Sequence, residues 1–187
     1  MAARSSTLGP GGWEGSLAGE AHTMAFGAAL AHAGLRRGSV HLSGDLGTGK
    51  TTLVRGFLRA LGVTEAIRSP TFTLVEEYRI GEATVVHYDL YRLSDPEELE
   101  YLGLRDHLSG SSLCFFEWPE RGAGTLPAPA LAIHLAHADE EGTARTEDSR
   151  RLRCAASDIE ARNALTWAAG SLAHIAIDIK FSENHVI

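Results

Sequence analysis

Eight residues constrain this chain more than any others: Gly44-Asp45-Leu46-Gly47-Thr48-Gly49-Lys50-Thr51, a complete GxxxxGK[ST] run. Before it, Ser39 to Ser43 reads as a short strand with Val40 and Leu42 on one face. After it, Leu53, Val54, Phe57, Leu58 and Leu61 recur at the three-and-four spacing of a buried helical stripe over Thr51 to Leu61, which Gly62 is suited to end. A strand that passes through a glycine loop into a helix turns successive backbone N–H groups inward and adds the positive end of the helix, which together make a cradle for phosphate. In such a loop Lys50 reaches the β- and γ-phosphates of a nucleotide and Thr51 offers a hydroxyl to magnesium. The expected fold is therefore α/β, with the loop at the end of a sheet strand.

The rest of the chain supplies the other elements. Glu20 to Ala33 reads as a helix, and Thr71 to Ile80 with Glu82 to Tyr91 as a β-hairpin turned at Gly81. Ser94 to Glu98 starts a further helix with Pro96 near its first turn. Leu113 to Phe116 shows no alternation, as expected of a strand covered on both faces. Leu131 to Leu135 and Leu152 to Ala155 read as strands joined across the polar segment 139–148, and Ile159 to Ala173 as a closing helix. Residues 1–18, rich in Gly, Ser and Ala, read as a flexible extension. The core domain is placed at 19–155, with 156–187 as a C-terminal helical extension and an ambiguous tail.

Hydrolysis needs more than a phosphate cradle: a carboxylate on the metal side and a group that positions water. Two acids are suitably placed. Strand alternation sets His87 and Asp89 on one face, opposite Val86, Tyr88 and Leu90. Glu117 directly follows the apolar run 113–116, at the carboxyl end of a buried strand, where ligands of open α/β sheets collect. On spacing alone either acid can face magnesium, and His87 can orient Asp89, orient a water, or serve as a structural histidine. The other histidines show no metal-ligand spacing. Cys114 and Cys154 lack any CxxC pattern and read as reduced core thiols.

A formal charge of −7 and a pI near 5.7 argue against direct wrapping of nucleic acid, which needs clustered cations. No run of about 18 apolar residues exists, so neither a membrane span nor a membrane partner is expected, and the expected location is the cytoplasm.

Four ordered motifs together resemble the TsaE (YjeE) family: GDLGTGKTT at 44–52, Ser69-Pro70-Thr71-Phe72-Thr73-Leu74-Val75, His87-Tyr88-Asp89-Leu90-Tyr91-Arg92-Leu93, and Glu117-Trp118-Pro119-Glu120. The resemblance runs from about Glu20 to Ala155 and is much more specific than a phosphate loop alone. It implies a P-loop NTPase three-layer fold with a mostly parallel central sheet and an antiparallel β-hairpin. It further implies a Mg2+-dependent ATPase that works with TsaB and TsaD to sustain formation of threonylcarbamoyladenosine in tRNA, touching tRNA only through that complex. By the same resemblance Gly44, Asp45, Leu46, Gly47, Thr48, Gly49, Lys50, Thr51 and Thr52 bind ATP, with Thr23 near the base. Thr51 and Glu117 hold magnesium, Asp89 and Lys50 serve hydrolysis with Glu117, and Ser69, Pro70, Thr71 and Phe72 form a switch-like loop. One of Arg150, Arg151 and Arg153 lies near the nucleotide. Two other readings of the phosphate loop are a small-molecule kinase, which needs an acceptor pocket and an arginine-bearing lid, and an interaction module for which nucleotide binding alone matters.

Overall fold

The computed structural model describes residues 12–109, 111–138, 149–173 and 178–182. In chain order the elements are β1 (Gly12–Ala18), α1 (Gly19–His32), β2 (Gly38–Ser43), α2 (Lys50–Ala60), β3 (Val75–Ile80), β4 (Ala83–Asp89), α3 (Glu98–Tyr101), α4 (Leu104–Ser109), β5 (Leu113–Glu117), a 3-10 turn (Pro119–Gly122), β6 (Leu131–His137), β7 (Ser149–Ala156), α5 (Ile159–Leu172) and β8 (Asp178–Ser182). The eight strands form one sheet in the order β3-β4-β5-β2-β6-β7-β1-β8. Its centre, β4-β5-β2-β6, is parallel, and the remaining pairings are antiparallel, including the β3-β4 hairpin. This is the three-layer P-loop NTPase arrangement.

Each face of the sheet carries its own core. On one face α1, α2 and α5 cover Val40, Leu42, Phe115, Ile133 and Leu152, with Phe26, Leu30, Leu53 and Phe57 packed between helices and sheet. On the other, Val86, Tyr88, Cys114 and Phe116 meet Leu99 and Leu104 of α3 and α4. All five residues of β5 are buried, because a central parallel strand is covered twice; that is why its sequence does not alternate. The alternation of β4 sends Val85, His87 and Asp89 to the α2 side, the same side as Leu113, Phe115 and Glu117 of the adjacent β5.

Four expectations are corrected. The chain start is not wholly a flexible extension, because Gly12–Ala18 is a strand paired with β7 on one side and β8 on the other. Its two glycines and small residues carry no hydrophobic alternation, and backbone hydrogen bonds to both neighbours hold it in place, with Leu17 fully buried. Residues 1–11 lie outside the described residues. The boundary at 155–156 does not separate an extension, since it cuts β7, α5 packs against α1, and part of the tail is β8. Residues 174–177, 183–187 and the polar segment 139–148 lie outside the described residues. The hairpin starts later than expected: Thr71 to Leu74 is a turn, and Leu74 takes a left-handed φ of 64°. The helix after Pro96 is two short helices, broken by Gly103 at φ 75°.

Candidate functional site

The carboxyl ends of β2, β5 and β4 bring Ser43, Glu117 and Asp89 to one edge of the sheet, where the Gly44 to Thr51 loop crosses into α2. Gly44 has φ 132°, and a Cβ there would sit 1.9 Å from the carbonyl oxygen of Leu135, so the loop can leave β2 beside β6 only with glycine at this place. Thr48 is buried and ties the loop to itself by donating its hydroxyl to the Asp45 carbonyl at 2.9 Å. Lys50 opens α2, and its ammonium folds back to donate to the carbonyls of Gly44 at 2.7 Å and Asp45 at 2.8 Å. The same ammonium lies 4.1 Å from the centroid of the Trp118 ring, a cation–π contact that assigns this indole to the site. Burial holds the Lys50 pKa below its ordinary value, with the negative charges of Glu117, Asp89, Glu120 and Asp45 pulling the other way.

Beside the lysine, the Thr51 hydroxyl donates to Glu117 Oε1 at 2.8 Å. The same oxygen lies 2.8 Å from His87 Nε2, and His87 is fully buried with its Nδ1 unpartnered. An ionised Glu117 can only accept this bond, so His87 carries its proton on Nε2 there. Histidine thus orients Glu117 rather than Asp89. A hydroxyl next to a carboxylate, both hard oxygen donors, fits Mg2+, which keeps several waters and takes substrate phosphates as further ligands. Among the described residues no group of three or more His, Cys, Asp or Glu could hold a metal by itself.

Asp89 is engaged differently. Its Oδ2 accepts from Thr71 Oγ1 at 2.8 Å and from Ser69 Oγ, while its Oδ1 accepts the backbone N–H of Tyr91 at 3.1 Å. The Ser69 and Thr71 hydroxyls are themselves 2.6 Å apart, and the Leu74 N–H closes the loop on the Pro70 carbonyl at 2.6 Å. The loop from Ser69 to Leu74 is therefore latched onto Asp89 through two hydroxyls. Phe72 at its tip is 84% exposed, and the Arg92 guanidinium lies 4.5 Å from its ring centroid.

Between these groups opens a cavity of about 420 Å³ whose lining includes Leu46, Gly47, Gly49, Lys50, Thr51, Thr52, Ser69, Thr71, Asp89 and Glu117. Gly44, Asp45 and Thr48 shape the loop through its backbone turn and the Thr48–Asp45 bond. Thr23 is buried, donates its hydroxyl to the Gly19 carbonyl at 3.0 Å, and packs under Gly49 rather than lining the cavity. Pro70 is buried in the latched loop. Of the late arginines, Arg150 reaches the loop, with Nη2 3.5 Å from the Gly47 carbonyl, whereas Arg153 lies 3.1 Å from Glu14 on β1. Sequence reasoning missed Tyr91 and Arg92 as lining residues. The signal for them was their place directly after Asp89, in the loop that leaves the carboxyl end of a parallel strand. Both cysteines are buried and free, and burial pushes the Cys114 thiol up to about 12, as inert core thiols require.

The chain has clear relatives. It is 50% identical over 101 residues to the tRNA threonylcarbamoyladenosine biosynthesis protein TsaE of Haemophilus influenzae, and that stretch covers 54% of this chain and 64% of the relative. It is 41% identical over 100 residues to the protein of the same name from Bacillus subtilis, covering 54% of this chain and 62% of that one. The chain thus spans less than two thirds of the length of each of these relatives. The crystal structure of Bacillus subtilis YdiB superposes with a TM-score of 0.69 at 26% identity, covering 89% of this chain and 99% of that one. The family model for threonylcarbamoyl adenosine biosynthesis protein TsaE matches residues 17–147, a span that takes in the phosphate loop, Asp89 and Glu117. Matched over most of its length, the chain belongs to the TsaE family.

Proposed function

We propose that this chain is a magnesium-dependent ATPase that sustains threonylcarbamoyladenosine formation in tRNA together with TsaB and TsaD. The observation that carries the reading is the convergence of Lys50, Thr51, Glu117 and Asp89 on one cavity at the carboxyl ends of β2, β4 and β5. The names of the relatives supply the pathway.

On this reading the loop amides from Gly47 to Thr51 bind the phosphates, and Lys50 exchanges its two carbonyl acceptors for phosphate oxygens. Thr51 and Glu117 are the residues that would hold Mg2+, with His87 keeping the Glu117 carboxylate in place. Bound there, Mg2+ would neutralise negative charge on the phosphates. The Oδ2 of Asp89, already accepting two hydroxyls, can orient an attacking water only once Ser69 or Thr71 releases it, which would couple that route of hydrolysis to movement of the latched loop. Slow turnover in the absence of partners follows. With a net charge of −7, contact with tRNA runs through the partners.

The test is ATP hydrolysis by the purified chain, alone and with TsaB and TsaD from the same cell, with and without magnesium. Strong magnesium-dependent stimulation by the pair is expected. Phosphate transfer to a metabolite without such stimulation would overturn the reading in favour of a kinase. In the same assay Glu117→Ala should weaken the magnesium dependence; an unchanged dependence would return the metal to Asp89.

A further inference from the structure

Among the described residues lining the cavity, only Lys50 and Arg92 are basic. Lys50 is buried and committed to the loop, whereas Arg92 is exposed and its guanidinium rests on an exposed aromatic ring. The backbone that carries Arg92 is fixed on both sides. Before it, the Tyr91 N–H is held by the Asp89 carboxylate, and the Tyr91 ring lies 5.0 Å from that of Trp118, the ring beneath the Lys50 ammonium. After it, Leu93 is buried in the α3-α4 core and its N–H bonds the Leu90 carbonyl at 3.0 Å. A long cationic arm thus stands on an anchored base at the rim of the cavity, and the contact that parks it is weak.

An exposed cation–π pair contributes about 0.5–1 kcal/mol, less than a charge-assisted hydrogen bond to a phosphate oxygen, so an arriving nucleotide can draw the guanidinium away from Phe72. The two lining carboxylates, Asp89 and Glu117, offset the charges of Lys50 and Arg92, so a triphosphate brings negative charge that no further lining cation meets. Arg92 leaves β4 next to Asp89, on the side of the switch-like loop, which is where the outermost phosphate lies if the loop Gly47 to Thr51 holds the inner ones. Resting on the nucleotide-binding reading above, we propose that Arg92 is a γ-phosphate-contacting catalytic residue supplied in cis, held in reserve on Phe72 until a triphosphate enters. The same exchange frees Phe72 and with it the tip of the loop that latches Asp89, so that recognition of the terminal phosphate and release of Asp89 are one event.

The experiment compares binding of ADP and of a non-hydrolysable ATP analogue, both with magnesium, to the wild type and to Arg92→Ala, Arg92→Lys, Phe72→Ala and Lys50→Ala. Arg92→Ala should weaken the analogue about 10- to 100-fold while leaving ADP unchanged, which also reports that the variant is folded. Arg92→Lys should recover part of the loss, and Phe72→Ala should bind both nucleotides at least as well as the wild type. Lys50→Ala should lose both. Equal loss of both nucleotides in Arg92→Ala and Phe72→Ala, or analogue binding by Arg92→Ala that matches the wild type, would overturn the role of Arg92 while the nucleotide site stands. Failure of the wild type to bind either nucleotide would overturn the reading beneath it as well.

Discussion

Helices α1 and α2 cross so closely that backbone meets backbone, and an alanine at the crossing should unfasten the helix that carries the phosphate loop. A Cβ built on Gly56 would stand 2.2 Å from the Met24 carbonyl oxygen, and one on Gly27 would stand 2.1 Å from the Leu53 carbonyl oxygen. Ordinary van der Waals contact begins at 3.4 Å, so Gly56→Ala must drive α2 off α1 by on the order of 1 Å. The helices cannot yield locally, because the obstacle is a carbonyl and not the far end of a side chain. Phe26, Leu30, Leu53 and Phe57, all fully buried around this crossing, would lose part of their contacts, since a gap of about 1 Å forfeits up to half of a dispersion well. Overpacking of this kind costs about 1–3 kcal/mol, and the upper end applies where backbone is the obstacle. Replacing a helical glycine by alanine returns about 1 kcal/mol, which leaves a net loss of about 2 kcal/mol. For a chain of this size that lowers Tm by about 4–8 °C. Gly170 is the internal control: it lies on α5, and a Cβ added there would meet nothing within 4 Å, so Gly170→Ala should raise Tm by about 2–4 °C. Thermal unfolding by circular dichroism reads both. A Gly56→Ala variant as stable as the wild type would refute the reasoning, because the same propensity gain would then act with no opposing clash.

Two further outcomes are expected. Asp89→Ala removes the acceptor of the Ser69 and Thr71 hydroxyls, so amide hydrogen exchange across 69–74 should speed up by about tenfold or more, with hydrolysis falling in parallel; exchange at the wild-type rate would mean that the loop is held by something else. Burial lowers the pKa of His41 from 6.5 to about 4, so the unfolded chain binds the extra proton throughout that window. Its contribution to stability is whole above pH 6.5 and is lost as pH falls towards 4. His41→Leu should flatten the acid side of a Tm-against-pH curve, and an unchanged slope would refute it. The flattening should be partial, because His134 is lowered too, by burial first and by Arg153 next.

What the amino-acid order determined by itself was most of what local geometry sets, the turn at Thr71 to Leu74 and the helix break at Gly103 excepted. The phosphate loop, the helix after it and the doubly covered strand β5 were legible because glycine placement, helical spacing and an unbroken apolar run each correspond to one backbone form. The faces of β4 were legible too, since alternation alone puts His87 and Asp89 opposite Val86 and Tyr88. Strand β1 was not, because Gly12–Ala18 is held by ladders to β7 and β8, segments that lie more than a hundred residues away in the chain. Nor could spacing divide the two acids. Only the parallel pairing of β4 with β5 sets Glu117 between Thr51 and His87 and leaves Asp89 to the hydroxyls of Ser69 and Thr71. Arg92 on Phe72 and Lys50 on Trp118 are likewise contacts between side chains from separate segments of the chain. Such pairings depend on which strands lie side by side, and that is a property of the packed sheet rather than of any single stretch of sequence.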